Sequence, residues 1–308
     1  MNQRRIDAER ATNLWSSFQR AVDPLARGAR IVPTPDIQFE EIGGLASPKE
    51  EILTYAYAHT RPEVYGRWGT FPPSALLMIG RPGSGKSLLA EALAVQTQMA
   101  FVRVDVPRIV LDVIHGAGKV GGLIQGWSRT LEELPPTTIF FDELEFTQAH
   151  DTGRRAAELP TGPIMDLLLE LIDRALAVEH CLVVGSTSYP DGLPHAFLSP
   201  GRFERVVEVN PTFPQDVIQA LQIHASKAEG RAQRTLFEKM DWAGVVGSIS
   251  DPSIGDWVRM LHAVLRGKAR CDAAGEVPQP VSNEDFAREV SRFRQARTRI
   301  HTDGGNYV

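Results

Sequence analysis

Gly80-Arg81-Pro82-Gly83-Ser84-Gly85-Lys86-Ser87 follows the pattern G-x-x-x-x-G-K-[ST]. Each position meets a physical demand of holding a polyphosphate. Glycines let the backbone turn tightly enough for several N–H groups to face one anion. A helix starting near Lys86 adds the positive end of its dipole. Lys86 offers a point charge to the outer phosphates, and Ser87 offers an oxygen to Mg²⁺. The flanks agree with this reading. Ala75-Leu76-Leu77-Met78-Ile79 reads as a buried strand entering the loop, and Ser87 to Ala94 as a helix leaving it. A bare glycine turn would lack that context. The expected nucleotide-binding set is Gly80, Pro82, Gly83, Ser84, Gly85, Lys86, Ser87 and Leu88.

A second stretch completes the chemistry. Thr137-Thr138-Ile139-Phe140-Phe141-Asp142-Glu143 is an apolar strand ending in two adjacent carboxylates. Ligands of open α/β sheets bind at that end of the strands. Asp142 is expected to hold Mg²⁺ together with Ser87, and Glu143 to polarise a water for attack on the terminal phosphate. A solvated strand end is the bland alternative, and the upstream loop argues against it.

The rest of the chain fits a P-loop α/β protein. Residues 100–105, 181–186 and 205–209 read as further strands separated by helices, which predicts a three-layer sandwich around a five-stranded parallel sheet. From Pro214 the pattern turns purely helical, over 214–227, 234–247, 253–271 and 283–298, a small α-helical lid. The expected organisation is an N-terminal helix and linker over 1–38, a large α/β domain over 39–210, a lid over 211–300 and a tail over 301–308. In the first segment Leu14, Phe18, Val22 and Leu25 share a helix face, with Trp15 beside them, a face for packing on the chain's own domain or on a neighbouring subunit rather than a docking helix for a partner. Ile31 to Asp36, with two prolines, reads as extended linker. The segment Gly116-Ala117-Gly118-Lys119-Val120-Gly121 formally fits G-x-G-x-x-G but follows no strand, and it reads as a loop. Gln148 to Thr161 reads as an exposed polar loop with some helix.

Bulk properties narrow the setting. The 308 residues are 43% hydrophobic and 23% charged, as in an ordinary globular chain. A net charge of -5 gives no general pull towards nucleic acid, and the arginines of the last helix read as a solvated face. Two cysteines far apart, no signal core after Met1 and no long apolar run suggest a cytoplasmic protein without a membrane span.

The motifs together resemble the AAA clade of AAA+ ATPases, collinearly from about Phe39 to about Arg270. Phe39-Glu40-Glu41-Ile42-Gly43-Gly44-Leu45 resembles that clade's opening motif, which implies that the backbone at Ile42 and Gly43 packs on the adenine. Ser199-Pro200-Gly201-Arg202-Phe203-Glu204-Arg205 resembles its second region of homology, and Leu221-Gln222-Ile223-His224 the start of its lid, with His224 near ribose and adenine. The resemblance implies ATP with Mg²⁺ held between sheet domain and lid, in a homo-oligomeric ring of six that acts on a protein client or adaptor. Arg202 is then the expected arginine finger, stabilising charge in a neighbour's site, with an intramolecular structural arginine as the alternative. Ser188 stands where the clade usually carries an asparagine that senses the terminal phosphate, and Ser199 where a second arginine is common. Both departures imply slow or partner-stimulated hydrolysis. The pore-loop stretch Leu111 to Gly116 offers Val113 and Ile114 rather than an aromatic grip. Asn306-Tyr307-Val308 is similar to tails that dock proteasomal ATPases on a peptidase ring, except at Asn306; a free terminus is the default. Two rival functions stand beside ATP-driven remodelling: an ATP-gated scaffold with little turnover, and a DNA-associated ATPase.

Overall fold

The structure, a computed structural model, describes residues 2–21, 28–71, 73, 75–116, 120–145, 161–247, 249 and 252–303. In chain order the elements are α1 (Asn2–Ala21), β1 (Ala29–Val32), α2 (Ala46–Thr60), α3 (Pro62–Arg67), β2 (Ala75–Ile79), α4 (Lys86–Gln96), β3 (Ala100–Asp105), α5 (Val106–Gly116), α6 (Val120–Glu133), β4 (Thr137–Asp142), α7 (Thr161–Leu176), β5 (Cys181–Thr187), β6 (Arg205–Glu208), α8 (Gln215–Ala232), α9 (Trp242–Gly247), α10 (Ile254–Ala273) and α11 (Asn283–Asp303). They form two compact units. One comprises Met1–Phe39, Ala46–Arg81 and Lys86–Val209; the other comprises Glu40–Leu45, Pro82–Gly85 and Asn210–Val308.

The first unit is built on a sheet of order β1-β3-β4-β5-β2-β6. Strands β2 to β6 are the five parallel strands expected from the sequence. The sixth strand departs from that expectation. Ala29–Val32, which overlaps the stretch read as linker, pairs antiparallel with β3, Ala29 opposite Val104 and Val32 opposite Phe101. Its β-branched Ile31 and Val32 suit an edge strand, and the prolines that suggest a linker follow it and end it. Four residues are too few for a period-2 pattern to stand out.

Every residue of β4 is buried, so it reads as a continuous apolar run. Helix α1 belongs to the same core, through Ala11, Trp15 and Phe18. Trp127 from α6 is its hub. Its ring centroid lies 6.3 Å from that of Trp15, 6.1 Å from Phe18 and 6.4 Å from Phe141, and its indole N–H donates to the Leu171 carbonyl at 2.9 Å. Burying each such ring contributes roughly 1.5–3 kcal/mol. The face that packs runs through Ala11, Trp15 and Phe18, one step round from the predicted stripe; Leu14 is only partly buried, and Val22 and Leu25 lie outside the described residues.

The second unit has its own core of Leu221, Val246, Trp257, Leu261 and Phe286, with Trp257 and Phe286 stacked at 6.3 Å. Helix α10 starts at a capping box: Ser253 accepts from the Asp256 N–H and Asp256 accepts from the Ser253 N–H. Only residues 242–247 of the predicted 234–247 helix are helical. Ahead of them Phe237 bridges to Val281, and the Glu229 carboxylate takes up the N–H groups of Leu236 and Phe237 at 2.9 and 3.2 Å. Side-chain capture of backbone donors competes with a helix there. Among the described residues no helix is long and apolar enough to cross a membrane. The glycine-rich segment is helical on either side of residues 117–119, which lie outside the described residues, as do 146–160 and the tail from 304.

Candidate active site

Strand β2 ends at Ile79, and helix α4 begins at Lys86. In the loop between, Gly83 and Gly85 have φ of +75° and +108°, a region that side chains avoid. Gly83 is also closely packed: a Cβ there would lie 2.7 Å from Ser253 Oγ, and its carbonyl accepts the Gly255 N–H at 3.2 Å. Ser84 is buried with a hydroxyl that has no hydrogen-bond partner among the described residues.

Lys86 is buried, and its ammonium donates to the carbonyls of Gly80 at 2.6 Å and Arg81 at 3.3 Å and to Ser188 Oγ at 2.9 Å. Burial pushes its pKa down; the carboxylates of Glu145, Asp142 and Glu143 push it back up. Four of the sequence-predicted side chains therefore converge with Lys86 at the C-terminal ends of β2, β4 and β5. Ser87 donates to Asp142 Oδ2 at 3.3 Å, Glu143 follows Asp142, and Ser188 follows β5. Glu143 has a φ of 61°, uncommon for a residue with a Cβ, and its N–H is held by Ser186 Oγ at 3.1 Å. Burial raises the Glu143 pKa, with Asp142, Glu145 and Asp105 adding to the shift and Arg103 opposing it.

Three further side chains shape this end of the sheet. Arg103 on β3 donates to Asp142 Oδ2 at 2.5 Å, and Ser186 donates to Asp142 Oδ1 at 2.6 Å. Glu145 accepts the Ser188 N–H at 2.8 Å with one oxygen, while its other oxygen is buried and has no partner among the described residues. Two of them carry a signal in the sequence. Arg103 is the lone cation of an alternating apolar strand, and Glu145 repeats the carboxylate two residues after Glu143.

Asp142 and Ser87 present hard oxygen donors, which suits Mg²⁺, an ion that takes one or two protein oxygens and completes its shell with water and phosphate. The Asp142 oxygen that Ser87 approaches, Oδ2, is also the one that Arg103 occupies.

The sequence model of the ATPase family associated with various cellular activities (AAA) matches residues 76–211, from β2 to just beyond β6. A proteasome-activating nucleotidase of Methanocaldococcus jannaschii is 28% identical over 281 residues, covering 89% of this chain and 61% of that protein. Another, from Archaeoglobus fulgidus, is 36% identical over 67% of this chain and 51% of that protein. Protein CdcH of Halobacterium salinarum is 31% identical over 74% of this chain and 30% of its own length. The chain belongs to the AAA family of ATPases.

The chain spans less than two thirds of each of these three relatives. Elsewhere in this AAA protein the remaining sequence-predicted residues are placed as follows. Each nitrogen of the Arg202 guanidinium donates within its own chain. Nε and Nη2 donate to the two oxygens of Asp173 at 2.7 and 2.8 Å, and Nη1 donates to the Ala196 carbonyl at 2.7 Å. Asp173 holds its pKa above the ordinary arginine value. In the helical unit, Gly43 approaches α8 so closely that a Cβ would lie 2.3 Å from the Ala220 nitrogen. The N–H groups of Gly44 and Leu45 donate to Gln219 Oε1 at 2.8 Å and Asp216 Oδ2 at 3.1 Å, and Ile42 is buried. His224 stands edge-on to His262 with ring centroids 5.8 Å apart, and burial, then His262, Lys227 and Arg231, lowers its pKa. Leu88 is partly exposed on α4.

Proposed function

We propose that this AAA ATPase hydrolyses ATP with Mg²⁺ in an oligomeric ring, of six subunits as the clade resemblance implies, and uses the cycle to remodel a protein partner in the cytoplasm. The observation that carries the reading is the convergence of Lys86, Ser87, Asp142 and Glu143 at one end of the sheet. A cation, a hydroxyl and two carboxylates are the groups that phosphoryl transfer to water requires. Lys86 binds the outer phosphates beside the N–H groups of the Gly80–Gly85 loop. Ser87 and Asp142 would hold the metal, which would supply positive charge against the phosphates. Glu143, kept more basic than an ordinary glutamate, takes a proton from the attacking water. Ser188 contacts the terminal phosphate, and Arg202 acts in a neighbouring subunit's site. Ile42, Gly43 and His224 contribute to the base and ribose. The names of the relatives, proteasome-activating nucleotidases among them, support a protein client.

A second reading is an ATP-gated scaffold with little turnover. The in-chain pairing of Arg202 with Asp173 favours it, because a finger held by its own subunit must be released before it can act on another. The DNA-linked reading draws no comparable support: Arg288 and Arg292 of α11 pair with Asp285 and Glu289. ATP turnover per subunit, followed as protein concentration rises, tests the main reading. A steep climb to a plateau supports sites completed between subunits. Nucleotide binding with turnover at background favours the scaffold.

A further inference from the structure

The helical unit carries a concavity of about 810 Å³ between the C-terminal half of α10, the end of α8 and the connection that precedes α11. Its floor is apolar, made by Leu236, Leu265 and Val281 with small alanines between them. Its charged lining is mainly basic: Arg231, Arg234 and Lys268, with His262, against the one carboxylate of Asp272.

The neighbouring carboxylates are mostly committed elsewhere. Glu229 accepts two backbone N–H groups. Asp285 holds Lys268 at 2.6 Å and also accepts the Ser282 N–H at 3.0 Å. Asp272 lies 3.9 Å from Arg234, at the limit of an ion pair, with both groups more than half exposed. Among the described residues Arg231 makes no hydrogen bond or ion pair, yet together with Arg266 it keeps the pKa of His262 low, after burial as the main cause. A cationic rim around an apolar floor is out of character for a chain of net charge -5.

We infer that this groove is a docking site for a short acidic peptide of a partner protein, whose carboxylates meet Arg231 and Arg234 while an apolar side chain lies on Leu236, Leu265 and Val281. Charge complementarity selects the peptide: Arg231 has no carboxylate partner among the described residues, and Arg234 is held only at 3.9 Å by an exposed Asp272. A nucleic-acid backbone is a poorer match, since the lining offers no Phe, Tyr or Trp platform for bases and only a short basic stretch for a run of phosphates. The groove shares no residue with the Lys86, Asp142 and Glu143 cluster, so the proposal stands or falls independently of hydrolysis.

The test is fluorescence anisotropy with the full chain and three labelled octapeptides: one alternating glutamate and leucine, the same with glutamine for glutamate, and the same with alanine for leucine. The acidic leucine peptide is expected to bind about tenfold more tightly than either control, and more weakly as salt is raised. The double variant Arg231→Glu, Arg234→Glu is expected to lose at least about tenfold in affinity for it and to bind a lysine-leucine peptide instead. Circular dichroism establishes that the variant is folded. Should it fail to fold, the peptide series on the unchanged protein still decides the matter. Equal binding of the three peptides, or no binding at millimolar peptide, overturns the proposal. So does a single-stranded oligonucleotide that binds more tightly through the same two arginines.

Discussion

Lys86 Nζ and Ser188 Oγ are 2.9 Å apart, joined across 102 positions of the sequence. The ammonium that the proposed reaction aims at phosphate is thus already counted among the hydrogen bonds of the chain, with the Gly80 and Arg81 carbonyls as its other acceptors. Glu145 fixes the backbone of Ser188 by accepting its N–H. Serine is therefore an anchor for the lysine as well as the proposed sensor of phosphate. Ser188→Ala is expected to lower kcat about tenfold while changing ATP affinity less than about threefold. Single-turnover kinetics alongside nucleotide titration separates the two quantities. An affinity change with kcat intact would make Ser188 a lysine anchor alone.

Glu143→Gln is expected to retain ATP binding and to lose at least about a hundredfold in kcat, the usual scale of a lost general base. The pH profile carries a sign. A base acts when deprotonated, and the Glu143 pKa is raised by burial and by Asp142, so kcat should fall as pH drops through a value above that of a free glutamate. The glutamine variant should lack that limb in its residual rate. A limb that survives the substitution would belong to another group.

Arg103 and Asp142 predict competition between an arginine and a metal. Asp142 is 8% exposed, so removing its partner leaves a poorly compensated carboxylate. Arg103→Met is expected to lower the melting temperature without metal by several degrees, and to recover much of that loss with Mg²⁺ and ATP, because the ion takes over the freed oxygen. Half-maximal activation should need less Mg²⁺ than in the parent chain. Thermal melts across a magnesium series check both. A loss of stability that Mg²⁺ and ATP leave unchanged would mean that the arginine serves the fold alone.

The legible parts of the chain are those where spacing alone encodes the physics. The Gly80–Ser87 loop and the 137–143 strand read directly, because a tight anion-binding turn and a buried strand with a charged end restrict residue types at fixed positions. The edge strand Ala29–Val32 does not read, since its pairing with β3 is a long-range property of four residues. Periodicity puts Trp15 beside the apolar stripe of α1 rather than in it, because its burial is set by Trp127, a residue more than a hundred positions away. Ser186 is ordinary in its local window, and the local oddity of Arg103 and Glu145 names no partner; each becomes meaningful only when neighbouring strands bring it to Asp142 or Ser188.

Arg202 and Asp173 set the last prediction. The pair is bidentate, and the third guanidinium nitrogen donates to the Ala196 carbonyl, so the arginine is held by its own chain beside α7. If that spot faces another subunit's nucleotide, an Arg202→Ala chain has an intact Lys86 but cannot assist a neighbour. A Lys86→Ala chain has an intact Arg202 but cannot bind phosphate in its own site. Each homogeneous variant is expected to be at least about a hundredfold slower than the parent chain, on the scale of a lost phosphoryl-stabilising group. Mixed in equal amounts and allowed to exchange, they are expected to regain activity well above either alone, because some sites then combine a working lysine with a working arginine. Asp173→Asn, which keeps one acceptor and loses the charge, should give an intermediate rate with ATP affinity unchanged. Mixtures that stay as slow as their components, under conditions where subunit exchange is demonstrated, would assign Arg202 to the fold of its own subunit.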